Sequence, residues 1–471
     1  MNRDTIYSLQ FRGHLQMTED KSSPIVATVE FEIHNPTSLK IEILLIGTEK
    51  ENRVASSYLR NFPYNHLRLQ NEEFASQSVD VWGIQGYEVT GLRASIAASL
   101  VQIGISKEPI AEDTIFYAKA ELTPSGILVQ PKINELFYTG ESRVTPIVKG
   151  RIEVPSRFGV LEVGQRYAHY HSEQFGNDIT HSVERVSVTS KVSAPGGENV
   201  FSINERIEQD IRDICRVLSF CYRQPVRHYE IEYFRAESAI GSLRKRIWRR
   251  RLPSSENTIK QDELINYRNL VDGGLERLLR NFQNAERADE ISRVIDFLSA
   301  SYKMVTLESS YFLAYSALDL VASIYNPNSL YLLKSGKWKK LERTLREYID
   351  SIADGHDLAE IIDSLKQKLP ELRRASGDSR ILEACNTLNV NTSDLWPIRG
   401  FENGLKSATG MRNDLFHSAL AENAKELFNH LVRVRTLVER LLLKILDWPD
   451  DQIWVWYDQN LKQVNIGPTD S

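Results

Sequence analysis

Cysteine is scarce in this chain: Cys215, Cys221 and Cys385 are all there is in 471 residues. Three scattered thiols make neither a disulfide framework nor a zinc quartet. No apolar run reaches the ~18–20 residues that a membrane span requires, and the opening MNRDTIYSLQFRGH carries no apolar core of leader length. Charge of one sign is missing too. The 58 Lys+Arg against 63 Asp+Glu leave a net −5, so no bulk cationic field announces nucleic acid and any such contact must come from local patches. There is no Gly-rich phosphate loop with a following Lys-Ser/Thr, no Gly-x-Ser-x-Gly elbow and no His-Glu-x-x-His. NTPase, serine hydrolase and zinc-protease readings therefore have no footing. Internal repeats and low-complexity segments are lacking as well. These absences predict a protein of the reducing cytoplasm, without membrane contact, metal or cofactor.

What is present is ordinary globular material, 41% hydrophobic and 26% charged, in a chain long enough for two or three domains. The first ~190 residues read as strand. Thr28 to His34 alternates polar and apolar strictly, and β-rich runs follow at Ile41 to Ile46, Ile115 to Leu122, Ile152 to Val163 and Val183 to Val188. Asn35-Pro36, Pro124-Ser125-Gly126 and Thr139-Gly140 supply turns between them. Many short strands at this spacing predict an antiparallel sandwich or barrel-like domain, of undetermined strand order. After Ala194-Pro195-Gly196-Gly197, Ser202 and Glu205 form a capping box, and Ile207, Ile211, Ile214, Leu218 and Cys221 recur at helical spacing. This helix and a strand at Tyr229 to Tyr233 complete a β-rich domain predicted over 1–235, followed by a basic linker at 236–256.

A helical domain is predicted over 257–450, with apolar i, i+3, i+4 patterns at Leu264 to Phe282, Ile291 to Ile324 and Leu341 to Leu369. The best defined seam runs through Leu427, Leu431, Val434, Val438, Leu441 and Ile445, and can meet either intrachain helices or a second subunit. Ile453 to Tyr457 with Val464 to Ile466 reads as a hairpin in a tail spanning 451–471. The fold class expected is α+β.

One short string carries chemistry: Arg412-Asn413-Asp414-Leu415-Phe416-His417. Arginine is always cationic and forks onto phosphate oxygens, whereas histidine titrates near neutrality and can move a proton. Thr409 or Ser407 is placed to cap a helix beginning at the string. Residues five apart sit ~140° around a helix, so the pair shares no narrow stripe, and Arg412 must swing across or meet its complement at an interface. Asn413 can orient either partner, and Asp414 can pair with Arg412. In RNA the 2′-hydroxyl is an internal nucleophile. A base to deprotonate it, worth ~10²–10⁴-fold, and a cation to hold the phosphorane suffice for cleavage. The bland alternative is a helix histidine that only packs.

Gly410-Met411-Arg412-Asn413-Asp414-Leu415-Phe416-His417, before a Leu-rich last helix, resembles the Arg-x(4–6)-His motif of HEPN domains. Glu308 to Leu320, with Ala317-Leu318-Asp319, resembles the first core helix of the ApeA-like branch, where an acidic residue points toward the active site. The β-rich part ending in Arg223-Gln224-Pro225-Val226-Arg227 is similar in layout to the domain preceding that module in ApeA-like antiphage proteins. The match spans roughly 300–447 at the motif level and is layout-level elsewhere. The resemblance implies a metal-independent endoribonuclease acting on RNA, tRNA above all, in abortive-infection defence. It further implies a homodimer or higher homo-oligomer and a phage-derived protein trigger. By the resemblance, Arg412 and His417 are catalytic, Asn413 orients them, Asp319 supports them where relatives often carry glutamate, and Glu308 is a weaker candidate. The alternative is a non-catalytic HEPN adaptor that binds nucleic acid or a partner protein.

Two other clusters stand out. Leu243 to Arg251 packs Arg244, Lys245, Arg246, Arg249, Arg250 and Arg251 around Trp248. It is a candidate RNA-backbone patch with an indole for stacking, or else a solvated face or an intramolecular partner for acidic segments such as Asp289-Glu290. His169 and His171 share a strand face, with His181 ten residues on, but no further ligand completes a metal set.

Overall fold

Six strands of the N-terminal part close on themselves. The computed structural model describes residues 9–16, 26–33, 40–60, 66–71, 78–103, 115–123, 132–136, 142–146, 151–156, 159–174, 177–193, 198, 200–235, 238–245, 263–325, 335–353, 359–373, 376–418, 423–449 and 459–466. The first strands are β1 (Leu9–Gln16), β2 (Val26–Ile33), β3 (Lys40–Leu45), β4 (His66–Asn71), β5 (Ser78–Thr90) and β6 (Arg93–Ile103), with helix α1 (Glu49–Arg60) between β3 and β4. Every pairing is antiparallel, and following β6–β3–β2–β1–β4–β5 leads back to β6. A ring leaves no open edge among its members, which removes a template for aggregation. The alternation read in the sequence supplies the interior: Ile41, Ile43 and Leu45 of β3 face inward with Leu67, Leu69, Val79, Val81, Ile96 and Val101. Ala55 and Leu59, one turn apart on α1, pack into the same core. Gly91, the first of two residues turning β5 into β6, takes φ +61°, which an L side chain adopts only with strain.

The sheet continues through β7 (Ile115–Thr123), β10 (Arg151–Ser156), β11 (Gly159–Gln174), β12 (Asn177–Ser193), β13 (Arg227–Arg235) and β14 (Ser238–Lys245), in the order β10-β11-β12-β7-β13-β14. β14 joins the ring at the second half of β6, where Lys245 stands opposite Leu100. A separate ladder pairs β8 (Lys132–Leu136) with β9 (Ser142–Pro146). Helix α2 (Val200–Cys221) buries Ile203, Ile207, Ile211, Ile214 and Leu218, and Tyr233 of β13 donates to Asn204.

Several expectations change here. The run Ile152 to Val163 is a hairpin, its turn lying between β10 and β11. Ser202 lies inside α2 rather than capping it. The stretch 236–256 is not simply a linker, since 238–245 form β14 between β13 and β6. Propensity alone marks only Ile240 there as a strand former, and pairing on both sides makes the segment a strand. The turn residues Asn35-Pro36, Pro124 to Gly126, Thr139-Gly140 and Ala194 to Gly197 lie outside the described residues.

The C-terminal part is helical, so the chain is α+β. After α3 (Tyr267–Asn269) comes a π-helical turn, Leu270–Gly274, then α4 (Leu275–Asn284), α5 (Ala288–Ser301) and α6 (Leu307–Tyr325). There follow α7 (Ser335–Ala353), α8 (Ala359–Lys368), α9 (Gly377–Thr387), α10 (Phe401–Ser418), α11 (Ala424–Ile445) and α12 (Gln459–Ile466). Two compact units result: residues 1–218, 226–259 and 265–280 form one, and residues 219–225, 260–264 and 281–471 the other. The division therefore falls inside the run expected to open the helical domain. Ile291 to Ile324 is two helices, α5 and α6, and Leu341 to Leu369 is likewise divided between α7 and α8. The tail is not a hairpin: Val464 to Ile466 are the end of α12, whose Leu461 and Val464 are buried, while Ile453 to Tyr457 lie outside the described residues.

Within the helical unit, α6 packs against α5, α9, α10 and α11. Its Tyr311, Ala314, Ala317, Leu318, Val321 and Ala322 are fully buried. The seam on α11 faces inward, with Leu427, Val434, Val438 and Leu441 fully buried. Each such leucine or valine adds about 1.5–3 kcal/mol of burial. Two capping side chains set helix starts: Ser376 accepts from Ser379 N at 3.2 Å before α9, and Asn423 from the amides of Lys425 and Glu426 before α11.

Candidate active site

Helix α10 starts well before the string it carries. Gly400, at φ +74°, turns the chain into the helix, and Gly404 lets α10 lie against Trp396. A Cβ added at residue 404 would come within 2.1 Å of the Trp396 Cγ. Leu405, Ala408 and Leu415 form the buried stripe. Ser407, Thr409 and Gly410 are thus in mid-helix and cap nothing, and Arg412 to His417 occupy the last turns of α10. Cationic and imidazole side chains at a helix C-terminus meet the negative end of its dipole.

Arg412 is half-buried and His417 exposed. The Arg412 Nη1 donates to the Asn413 Oδ1 at 3.2 Å, so the fork takes the amide and not Asp414. The guanidinium carbon lies 5.9 Å from the Tyr315 ring centroid and 5.9 Å from that of Phe416. The His417 ring stands edge-on to Phe416, centroids 5.8 Å apart, and hydrogen-bonds no described residue. Both side chains thus border Phe416, the imidazole open and the guanidinium partly covered.

Beside Arg412 lies a polar chain that no spacing along α6, α9 or α10 encodes. The Tyr315 hydroxyl meets the Thr409 Oγ1 at 2.8 Å, and Thr409 donates to the Asp378 carboxylate of α9. With the threonine proton committed there, the phenol donates to Thr409. Burial, with the charges of Asp378 and Asp319, raises the Tyr315 pKa to about 12, against the opposing pull of Thr409 and Arg412. The phenol is therefore a fixed neutral donor at physiological pH. Its neighbour Tyr311 donates to the Ala408 carbonyl at 2.7 Å, tying α6 to α10 one turn before Arg412.

Asp319, one turn after Tyr315 on α6, is bound by the Arg380 Nη2 at 2.9 Å. The pair ties α6 to α9. Glu308 lies in the first turn of α6. At 1.5 Å per residue the eleven residues to Asp319 put it ~16 Å along the helix, away from this group.

The structure brings Arg412, Asn413, His417 and Asp319 into the helical unit and adds Tyr315, Thr409, Asp378 and Arg380. A tyrosine at i−4 from Asp319 on the same face was the available signal for the first of these; Thr409 lies one turn before Asn413 on α10, and Asp378 and Arg380 come from α9, whose approach spacing does not encode.

The basic stretch is different. Arg244 and Lys245 end β14, where Arg244 stands opposite Glu230 in the backbone register with β13. Arg246, Trp248, Arg249, Arg250 and Arg251 lie outside the described residues. His169, His171 and His181 sit on β11 and β12, with His181 opposite Tyr170. Among the described residues no group of three or more His, Cys, Asp or Glu is arranged to hold a metal ion. No helix among them is long and apolar enough to cross a membrane.

No protein-family model, curated protein or solved structure matches this chain.

Proposed function

We propose that this chain is a HEPN-type endoribonuclease that cleaves RNA by attack of the 2′-hydroxyl on the adjacent phosphodiester, without a metal ion. The observation that carries the reading is the pairing of an exposed His417 with a half-buried Arg412 whose fork is held by Asn413. A general base must reach its proton and a phosphate clamp must be pre-oriented, and both conditions favour these two side chains. In the reaction, His417 takes the 2′-OH proton as the 2′-oxygen bonds to phosphorus. The P–O5′ bond then breaks, and the leaving 5′-oxygen takes a proton from the imidazolium of a His417 or from water. The products are a 2′,3′-cyclic phosphate and a 5′-hydroxyl. Arg412 offsets the charge gathering on the equatorial oxygens. Tyr315, itself hydrogen-bonded to Thr409, lies against Arg412 and supports it.

By the same resemblance the biological setting is antiphage defence in the cytoplasm, with host tRNA cleaved after a phage-derived trigger relieves an inhibited state. The active form is a homodimer or higher homo-oligomer that brings two Arg-His pairs to one cleft. The β-rich unit is the seat of sensing. Arg244 to Arg251 add phosphate contacts.

The test is cleavage of total tRNA in EDTA by purified wild type, Arg412→Ala and His417→Ala, with ends mapped chemically. Wild-type cleavage that leaves cyclic phosphates and disappears in both variants supports the enzyme. Equal inertness of all three while RNA still binds turns the reading into that of a non-catalytic adaptor.

A further inference from the structure

Phe416 is 66% exposed at the end of a helix that continues through Ser418. Its neighbour Leu415 is buried, so the helix is anchored at this point and the phenyl is held outward by the register. Lone exposed apolar side chains are common on protein surfaces and mean little by themselves. The company of this one is the distinguishing observation. The Arg412 guanidinium carbon lies 5.9 Å from the ring centroid, and the His417 ring stands edge-on to the phenyl with centroids 5.8 Å apart. A ligand filling this place must offer an anion to a guanidinium and a flat face to a phenyl at the same time. An acidic peptide offers the first alone and an apolar peptide the second alone. A nucleotide offers both, joined by its sugar.

We infer that Phe416 is a substrate-positioning residue that stacks the base of a nucleotide flanking the scissile phosphate. This rests on the ribonuclease reading and deepens it. A base already stacked and paired within a duplex cannot turn onto the phenyl, so the substrate is unpaired RNA: a loop, a bulge or a single strand. Stacking on an aromatic side chain is tolerant of base identity. Phe416 therefore selects for an unpaired nucleotide and not for a particular letter.

The experiment uses the full chain and a short single-stranded oligoribonucleotide with one cleavage position, made with normal bases or with an abasic nucleotide at either flanking position. Phe416→Ala should lower kcat/KM about 5- to 100-fold on the normal strand, chiefly through KM. Phe416→Tyr and Phe416→Trp should restore it. Wild type should lose a similar factor on one of the abasic strands, and Phe416→Ala should lose nothing further on that strand. Unchanged light-scattering mass and melting temperature should accompany the alanine variant. The same comparison is read as binding in a His417→Ala background, so stacking remains measurable if cleavage is absent for other reasons. Cleavage failing in every protein while base-dependent binding persists counts against the nuclease and not against stacking. Three results overturn the inference: wild-type behaviour of Phe416→Ala, equal further losses on normal and abasic strands, or a change of oligomeric mass, which would make Phe416 a subunit contact.

Discussion

Arg412 of α10 lies over the ring of Tyr315 of α6, its guanidinium carbon 5.9 Å from the centroid. The tyrosine is in turn fixed by its hydroxyl on Thr409. Separating ring from hydroxyl tests what holds the clamp. Tyr315→Phe keeps the ring and should retain cleavage within about twofold, whereas Tyr315→Leu removes the cation–π support and should cost about 2- to 5-fold. The loss should appear in kcat for tRNA cleavage. Equal effects of the two substitutions would mean that the ring does not place Arg412.

Glu439 of α11 is buried and takes both the Nε and Nη2 of Arg223, at 2.7 and 2.8 Å, as well as the Tyr302 hydroxyl. The Arg435 guanidinium covers Tyr302 at 4.2 Å. Glu439→Leu removes the buried carboxylate that Arg223 grips with two hydrogen bonds and should cost about 3–5 kcal/mol in urea unfolding. Adding Arg223→Met should recover part of that, because a buried charge is removed with it. A double variant less stable than Glu439→Leu alone would show that packing around Arg223, and not its charge, dominates.

Two glycines of α10 should respond in opposite directions. Gly404→Ala drives a Cβ into the Trp396 indole and should destabilise by about 1–3 kcal/mol. Gly410→Ala meets nothing within 4 Å and should stabilise by up to about 1 kcal/mol through helix propensity. Thermal melts of the two variants decide this.

His228 gives an acid limb to stability. Burial, and then the Arg212 charge, lower its pKa to about 4, while Glu208, 3.4 Å from its Nε2, already faces Arg212 at 3.7 Å. The folded pKa lies below the unfolded value of about 6.5. The histidine's contribution is therefore complete above about pH 6.5 and is lost as pH falls toward 4. His228→Gln should flatten the unfolding free energy between these limits. An unchanged pH slope in that variant would place the acid sensitivity elsewhere.

The sequence by itself determined the local matters. Period-two alternation in β3 and the repeat of apolar residues along α11 are set by which side chains leave water, and burial is strong enough to dictate them without knowledge of partners. The residue types at 412, 413 and 417 likewise carry the proposed chemistry, and the helix that holds them was legible in the sequence as well. Tertiary structure decided what depends on distant segments. The closing of six strands into a ring rests on pairing β5 with β6 and β6 with β3, which no single strand encodes. Small and branched residues read as a linker became β14 because β6 and β13 offered it hydrogen bonds. Val464 belongs to a helix and not a hairpin because, with Leu461, it is buried on an element packed against α11. Most consequential for function, α9 carries Asp378 and Arg380 to a site whose other members lie on α6 and α10. Their meeting follows from how helices pack, and helix packing is a property of whole faces rather than of any spacing along the chain.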